Sequence, residues 1–173
     1  MESILLKTHW VRVVRDQFSR RIVGFAVTKE IPTGDVVSMM FAEIIGNKKL
    51  PLRLSYDHDP LFKSHRWKTM LRVLQIKSMT SVPEIPVSHC FVERLIDSVR
   101  REFLDQIFYS NARDLKRKLD RYAAYFNEAR VQYALNGLTP NQVFLPTSKK
   151  EPKHGRVFWR LYCESLFNVP IAA

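Results

Sequence analysis

The sequence predicts an α/β fold in which a mixed sheet is flanked by helices. Two runs rich in β-branched and aromatic residues, 3–14 and 21–29, open the chain and predict a hairpin around "DQFSRR". Apolar residues at helical spacing then alternate with short strand-like runs. The order strand, strand, helix, strand, helix, strand, helix, helix favours one domain whose later strands are connected through helices.

The next elements surround a strand that ends in an acidic turn. A helix is predicted over 36–45, after "TGD" and before Gly46 and Asn47, which are typical of a helix end. A third strand is predicted over 50–56, and Asp57 directly follows it. Two further elements follow, an amphipathic helix and a short strand, over 61–74 and 75–82.

Two long helices are predicted over 88–108 and 110–130. Asn111 is placed to cap the second helix, and Asp114 stands three residues later, a pattern typical of a capping box. The first helix has one apolar stripe, formed by Val92, Leu95, Ile96, Val99, Phe103 and Ile107.

The end of the chain changes in composition. The stretch "LPTSKKEPKHGR" is rich in Pro and Lys and predicts an exposed tail. Within that tail, 157–167 is apolar enough to dock as a short element. We therefore expect a core over 1–140 and a C-terminal tail over 141–173.

The charge of the chain favours an anionic partner. The 173 residues contain 28 Lys plus Arg against 17 Asp plus Glu, a formal net charge of +11. Such an excess favours a polyanion, usually nucleic acid, over a small anion. The alternative is a globular protein whose basic charge serves no binding function.

Other features bear on the compartment. Cys90 and Cys163 lie far apart and form no CxxC pair, which fits reduced thiols in the cytoplasm and argues against a zinc site. His58, His65 and His89 show no zinc-ligand spacing either. No apolar run approaches the roughly 18 residues of a membrane span, and "MESILLKTHW" does not have the pattern of a signal peptide.

The segment "LSYDHDPLF" sets Asp57 and Asp59 around a histidine, directly after a predicted strand. Acidic residues that close a strand are common turn formers. They are also the residues with which phosphoryl-transfer enzymes hold Mg²⁺. This stretch taken alone leaves both interpretations open.

Several motifs together resemble the integrase core of insertion-sequence transposases and retroviral-type integrases. Glu93 follows Asp57 after 35 intervening residues (58–92), close to the start of a predicted helix. "YDHDPLF" and "ERLIDSVRREFLD" resemble the family's segments around its second Asp and its Glu. "YFNEARVQYALNGLTP" resembles its closing Tyr-x-Asn-x-x-Arg segment, and "DQFSRRIVGFAV" resembles one of its strands and the preceding turn. The resemblance covers roughly residues 3–140.

The resemblance implies an RNase H-like fold of the DDE type and metal-dependent strand transfer of DNA. It implies that Asp57 and Glu93 are catalytic and hold Mg²⁺ or Mn²⁺, with two ions in a complete family member. Two such ions activate the attacking hydroxyl and stabilise the leaving oxygen. Asp59 is expected to form a turn or to support the metal ligands indirectly.

The first acid of the family has no counterpart in the expected place. It would lie just upstream of Met1, so that "ESILLK" is expected to be the tail of an incomplete first strand. Asp16 is expected to cap a turn instead. The chain is thus interpreted as an integrase core truncated at its N-terminus, whose strand-transfer activity is in question because this acid is missing. The alternative is a non-catalytic remnant that binds DNA or dimerises with full-length transposase.

The expected partners are DNA and either another copy of the chain or full-length transposase, in the bacterial cytoplasm near the nucleoid and away from membranes. Basic residues on the two long helices are the candidates to line the DNA. A solvated helix face is the equal alternative for them. These candidates are Arg94, Arg100, Arg101, Lys116 and Arg117.

Overall fold

The computed structural model describes residues 8–80, 90–145 and 157–172. The chain divides into two compact units, and the fold is described below element by element. The first unit consists of Met1–Arg12 and Ala26–Asp114, and the second of Val13–Phe25 and Leu115–Ala173.

The first two strands are hydrogen-bonded neighbours, as predicted. They are β1 (Trp10–Arg15) and β2 (Ile22–Thr28). Asp16 holds the turn between them, because one of its carboxylate oxygens accepts hydrogen bonds from the backbone N–H of Ser19 at 2.7 Å and from its hydroxyl at 2.6 Å. The predicted role of Asp16 as a turn cap is confirmed. The predicted incomplete first strand "ESILLK" lies outside the described residues.

Helix α1 (Gly34–Ile45) confirms the third predicted element and starts two residues earlier than expected. Thr33 caps it by accepting a hydrogen bond from the Val36 N–H at 3.3 Å. A Cβ atom on Gly34 would lie 2.3 Å from the Ser64 side chain, so only glycine fits at that point. Gly46 ends the helix at a φ of −40°, and therefore the left-handed conformation that favours glycine is not used there.

The predicted strand–helix–strand unit that follows is also confirmed, with shorter strands. It consists of β3 (Arg53–Tyr56), α2 (His65–Val73) and β4 (Lys77–Thr80), and a 3₁₀ turn, Pro60–Lys63, precedes α2. Strands β3 and β4 pair in parallel. Within the described residues the six strands form three two-stranded sheets. One continuous mixed sheet therefore stays a prediction.

Aromatic side chains form a cluster beneath the end of β3. Trp67 lies at the centre, with ring centroids 5.0 Å from Phe62 and 5.4 Å from Tyr56 and Phe41. Trp67 and Phe41 are almost completely buried. Because large aromatic side chains contribute much of the burial free energy of a core, this cluster fixes the position of the loop after β3.

Helix α3 (Cys90–Glu102) is shorter than the predicted helix over 88–108. Phe103 leaves helical geometry at a φ of −131°, and a 3₁₀ turn, Leu104–Gln106, replaces the last predicted turn. The predicted apolar stripe is confirmed at three of its residues, which are buried, whereas Val92 and Ile96 remain 39% and 42% exposed. The buried residues of the stripe are Leu95, Val99 and Phe103.

Helix α4 (Ala112–Glu128) begins with the predicted cap. Asn111 accepts a hydrogen bond from the Asp114 N–H at 2.9 Å, and the Asp114 carboxylate accepts one from the Ser110 N–H at 3.1 Å. A short helix that was not predicted, α5 (Pro140–Phe144), follows later in the chain.

The C-terminal element is larger than predicted. Residues 157–172 form an antiparallel hairpin of β5 (Val157–Tyr162) and β6 (Phe167–Ala172). The Phe167 ring stacks on Tyr125 of α4 at 3.9 Å and an angle of 4°, and Arg121 of α4 pairs with Glu164. The docking element is therefore a full hairpin, and the domain boundary at residue 140 stays a prediction.

Candidate functional site

The turn after β3 gives its two carboxylates different roles. Asp59 caps the 3₁₀ turn, since its Oδ1 accepts a hydrogen bond from the Leu61 N–H at 2.8 Å. This confirms the expectation that Asp59 forms a turn. Asp57 is exposed, and one of its oxygens accepts a long hydrogen bond of 3.4 Å from the Asp59 N–H. Among the described residues, its second oxygen has no hydrogen-bond partner.

Arg12 of β1 carries its charge into the neighbourhood of both carboxylates. Its guanidinium lies over the Phe62 ring, 4.9 Å from the centroid. Burial lowers the pKa of Arg12, and the negative charges of Asp57 and Asp59 act in the opposite direction. A largely desolvated cation therefore shares the electrostatic field of the two acids.

A depression of about 400 Å³ adjoins these residues. Its lining includes three buried apolar side chains and three exposed cationic ones. Hydroxyl groups also reach it, with Tyr56 and Ser78 joined by a hydrogen bond of 2.6 Å. The lining consists of Tyr56, Asp57, His58, Asp59, Phe62, Lys63, Lys68, Leu71, Arg72, Ile76 and Ser78.

Glu93 lies in the first turn of α3 and is exposed. Asp97 follows at i+4 and Arg100 at i+7, so the three side chains share one face of the helix. Leu95 and Val99 are buried and fix the orientation of that face. Glu93 and Asp57 belong to the same compact unit. Their approach to one metal ion stays a prediction.

The two candidate acids have the chemistry of ligands for a divalent ion. Exposed carboxylate oxygens such as those of Asp57 and Glu93 are the ligands that Mg²⁺ and Mn²⁺ prefer. Within residues 8–80, 90–145 and 157–172, no three His, Cys, Asp or Glu side chains converge into a metal site. The chemistry of the pair fits a hard cation.

The predicted DNA-binding residues differ in their surroundings. Arg94, Arg100 and Arg101 are all exposed on α3. Lys116 instead bonds to Asp120 at 2.6 Å, one turn further along α4, so its charge already has a partner. Arg117 is exposed. DNA binding by these residues stays a prediction, and the pairing of Lys116 makes it the weakest candidate.

Sequence reasoning missed the cations around the depression. Lys68 and Arg72 stand at i and i+4 on α2, a spacing that could have placed them together. Arg12 interrupts the apolar run of β1, which was a usable signal as well. Its position beside Asp57 depends on the packing of strands, and a single sequence does not reveal that packing.

Comparison with known proteins decides the class of this fold. Residues 74–140 match the family described as Integrase core domain (rve_3), and this segment includes Glu93. Structural neighbours are integrase catalytic cores, which are RNase H-like. Residues 74–140 thus match an integrase core, and the fold resembles that of integrase catalytic cores. Within the described part of the chain, no helix is long and apolar enough to cross a membrane.

The curated relatives that this chain resembles are transposases. One is the transposase for transposon Tn552 of Staphylococcus aureus, 25% identical over 135 residues, which are 73% of this chain and 28% of the relative. Another is the putative transposase InsK for insertion sequence element IS150 of Escherichia coli K12. It is 27% identical over 146 residues, 77% of this chain and 49% of the relative. The chain thus spans about a quarter to a half of these relatives.

Three of the solved structures similar to this chain contain retroviral integrases. The catalytic core domain of BIV integrase has a TM-score of 0.61 at 24% identity, covering 80% of this chain and 90% of that one. An intasome of simian T-cell lymphotropic virus, in complex with PP2A regulatory subunit B56 gamma, has a TM-score of 0.64 at 18% identity. The match covers 94% of this chain and 63% of that one. The catalytic core domain of HTLV-2 integrase, in complex with magnesium in a dimeric form, has a TM-score of 0.56 at 19% identity. The match covers 81% of this chain and 91% of that one.

Proposed function

We propose that this integrase core acts in DNA integration or transposition by metal-dependent transfer of a phosphodiester strand. The observation that carries the proposal is the exposed Asp57 carboxylate directly after β3, with Glu93 exposed in the first turn of α3 of the same unit. Functional groups in α/β folds gather at the carboxyl ends of strands. The transposase relatives support the class of reaction.

Asp57 and Glu93 would hold Mg²⁺ or Mn²⁺. When bound, divalent ions activate the attacking water or 3′-hydroxyl and stabilise the leaving oxygen. The chain contributes rigidity: the aromatic cluster around Trp67 anchors the loop that carries Asp57, and the buried Leu95 and Val99 orient Glu93. Ligands on packed elements keep their positions better than ligands on free loops.

DNA is the proposed substrate and partner. A net charge of +11 supports attraction to phosphates without sequence preference. The exposed arginines of α3 lie on the same helix as Glu93, which supports a role in holding the strand near the acids. A complex with another copy of the chain, or with full-length transposase, is proposed as the working assembly, at the nucleoid in the bacterial cytoplasm.

The alternative proposal is a non-catalytic subunit that binds DNA or dimerises with full-length transposase. It shares the fold and the DNA binding of the first proposal. It differs in strand cleavage, which the alternative subunit would not perform under any metal condition. A cleavage assay therefore distinguishes the two.

The test combines calorimetric titration with Mn²⁺ and a cleavage assay on a labelled oligonucleotide. We expect Asp57→Asn and Glu93→Gln each to weaken Mn²⁺ binding at least tenfold. Asp35→Asn is the matched control, because Asp35 is an exposed acid of the same unit. Unchanged Mn²⁺ affinity in both site variants would refute the assignment. Binding of metal and DNA without cleavage would favour the non-catalytic alternative.

A further inference from the structure

We infer that the depression beside Asp57 binds one unpaired nucleotide of a DNA strand. The inference rests on the proposed function and names a feature of its substrate. Three observations support it: the composition of the lining, its volume, and the two carboxylates that border it.

The lining combines two kinds of surface. Phe62, Leu71 and Ile76 are buried and present an apolar surface to the depression. Lys63, Lys68 and Arg72 are exposed cations that also line it. A ligand that matches both surfaces carries an anionic group and a flat apolar group. A nucleotide has both, as a phosphate and a base.

The three cations are available to a ligand. Among the described residues, the side chains of Lys63, Lys68 and Arg72 form no hydrogen bond or ion pair with the protein. Lys68 and Arg72 lie one turn apart on α2, so both charges point from the same face of the helix. Several unpaired cations around one depression favour a phosphate ligand.

The volume decides between paired and unpaired DNA. A depression of about 400 Å³ lies within the range of roughly 300–1,000 Å³ found for small-molecule sites. It is too small to admit a base pair together with its two strands. An unpaired base loses little stacking when it enters, whereas a paired base must first break its pairing and stacking in the duplex. The depression therefore selects a strand end or a gap.

The position of the depression would bring a bound nucleotide close to the candidate catalytic acid Asp57. Asp57 and Asp59 are part of its lining, so a nucleotide bound there places the adjoining phosphodiester of the same strand beside Asp57. The hydroxyls of Tyr56 and Ser78, which bond to each other at 2.6 Å, supply groups that recognise a base edge or sugar. The substrate of the proposed reaction is accordingly DNA with an unpaired nucleotide next to the reacting phosphate.

The experiment measures fluorescence anisotropy with two probes. One is a blunt 20-base-pair duplex, and the other is the same duplex with a four-nucleotide 3′ overhang. We expect the wild-type chain to bind the overhang probe about five to ten times more tightly, because one accommodated base adds stacking to the phosphate contacts. The double variant Lys68→Glu/Arg72→Glu should abolish this preference. The matched control Lys29→Glu/Lys49→Glu, which changes the net charge equally at exposed sites outside the depression, should retain it.

Every outcome bears on the inference. Equal binding of the two probes by the wild-type chain would overturn it, as would an overhang preference that survives in Lys68→Glu/Arg72→Glu. A preference lost equally in the control pair would also overturn it, because general electrostatics would then explain the result. If Lys68→Glu/Arg72→Glu unfolds the chain, the variant Lys68→Gln/Arg72→Gln is measured in its place, and it should also lose the preference for the overhang probe. The wild-type chain can lack any preference for the overhang probe and still bind the blunt duplex with a dependence on Mn²⁺. In that case the nucleotide site is refuted and the proposed function stands.

Discussion

The carboxamide of Asn127 bonds both main-chain polar groups of Ile22. Its oxygen accepts the Ile22 N–H at 2.8 Å, and its nitrogen donates to the Ile22 carbonyl at 2.9 Å. Both bonds are buried, and they join residues that lie 105 positions apart in the chain. The asparagine of the closing Tyr-x-Asn-x-x-Arg segment thus holds the first residue of β2 in place. Its role in this protein is structural.

We expect Asn127→Ala to lower the free energy of unfolding by about 2–4 kcal/mol, since it leaves a buried donor and a buried acceptor unsatisfied. Asn127→Asp should lose at least as much, because it keeps the acceptor for the Ile22 N–H but buries a carboxylate against the Ile22 carbonyl. Thermal unfolding followed by circular dichroism measures both. Asn168→Ala in the exposed part of β6 is the control and should change little. A melting temperature of Asn127→Ala equal to that of the control would contradict the role assigned to Asn127.

The order of elements was predictable because local patterns encode it. Thr33 and Asn111 cap helices with their own side chains, and caps can be recognised in a sequence. The contacts of Asn127 with Ile22 and of Arg12 with Phe62 join distant parts of the chain, so one sequence does not reveal them. The exposure of Val92 and Ile96 was missed for a related reason, because periodicity shows an apolar face but not what covers it.

The candidate site was predictable in part. Asp57 and Asp59 were recognised from the strand end and the motif, and the structure separates their roles through the cap that Asp59 provides to Leu61. Two cations of the depression, Lys68 and Arg72, come from α2, the third, Lys63, ends the 3₁₀ turn before it, and no motif marked them. Their grouping depends on how α2 packs beside β3 and β4, which is a property of the fold.

Asp16 should contribute to stability and not to metal binding. Asp16→Ala removes the acceptor of the Ser19 N–H and hydroxyl, so we expect a loss of about 1–2 kcal/mol in the free energy of unfolding. Asp16→Asn keeps an acceptor and should lower the free energy of unfolding by a smaller amount. Mn²⁺ affinity, measured by calorimetry on the folded variants, should stay within twofold of wild type. A tenfold fall in that affinity would make Asp16 a metal ligand.

Arg12 should oppose metal binding at Asp57. Its desolvated charge lies in the field of Asp57 and Asp59, so it repels a divalent ion that approaches them. We expect Arg12→Met to tighten Mn²⁺ binding about three- to tenfold, with the methionine retaining contact with the Phe62 ring. Arg12→Lys keeps the charge and should leave the affinity near wild type. Weaker Mn²⁺ binding by Arg12→Met would show that Arg12 organises the acids instead.

Cys163 should react slowly with alkylating reagents. Burial raises the pKa of its thiol to about 11, and Glu164 adds to the effect while Arg121 opposes it. A raised thiol pKa means that the folded state favours the neutral form, so stability is lost as the pH rises from about 9 towards 11. With Cys90 replaced by Ser, we expect iodoacetamide at pH 8 to label Cys163 at least tenfold more slowly in the folded chain than in the urea-unfolded chain. Equal rates would contradict the raised pKa.

The arginines of α3 should govern the salt dependence of DNA binding. Arg100 and Arg101 are exposed and carry two of the charges proposed to meet phosphates. Each phosphate contact contributes about −0.9 to the slope of log K against log salt concentration. Removing two contacts should therefore reduce the magnitude of that slope by about 1.8. Anisotropy titrations of Arg100→Glu/Arg101→Glu with the blunt duplex, from 50 to 200 mM salt (about the range over which such contacts are resolved), measure this change. The control pair Lys29→Glu/Lys49→Glu alters the net charge equally and should leave the slope within about 0.5 of wild type, because distant charges are screened. Equal slopes in the two double variants would make the α3 arginines a solvated face and remove them from the DNA interface.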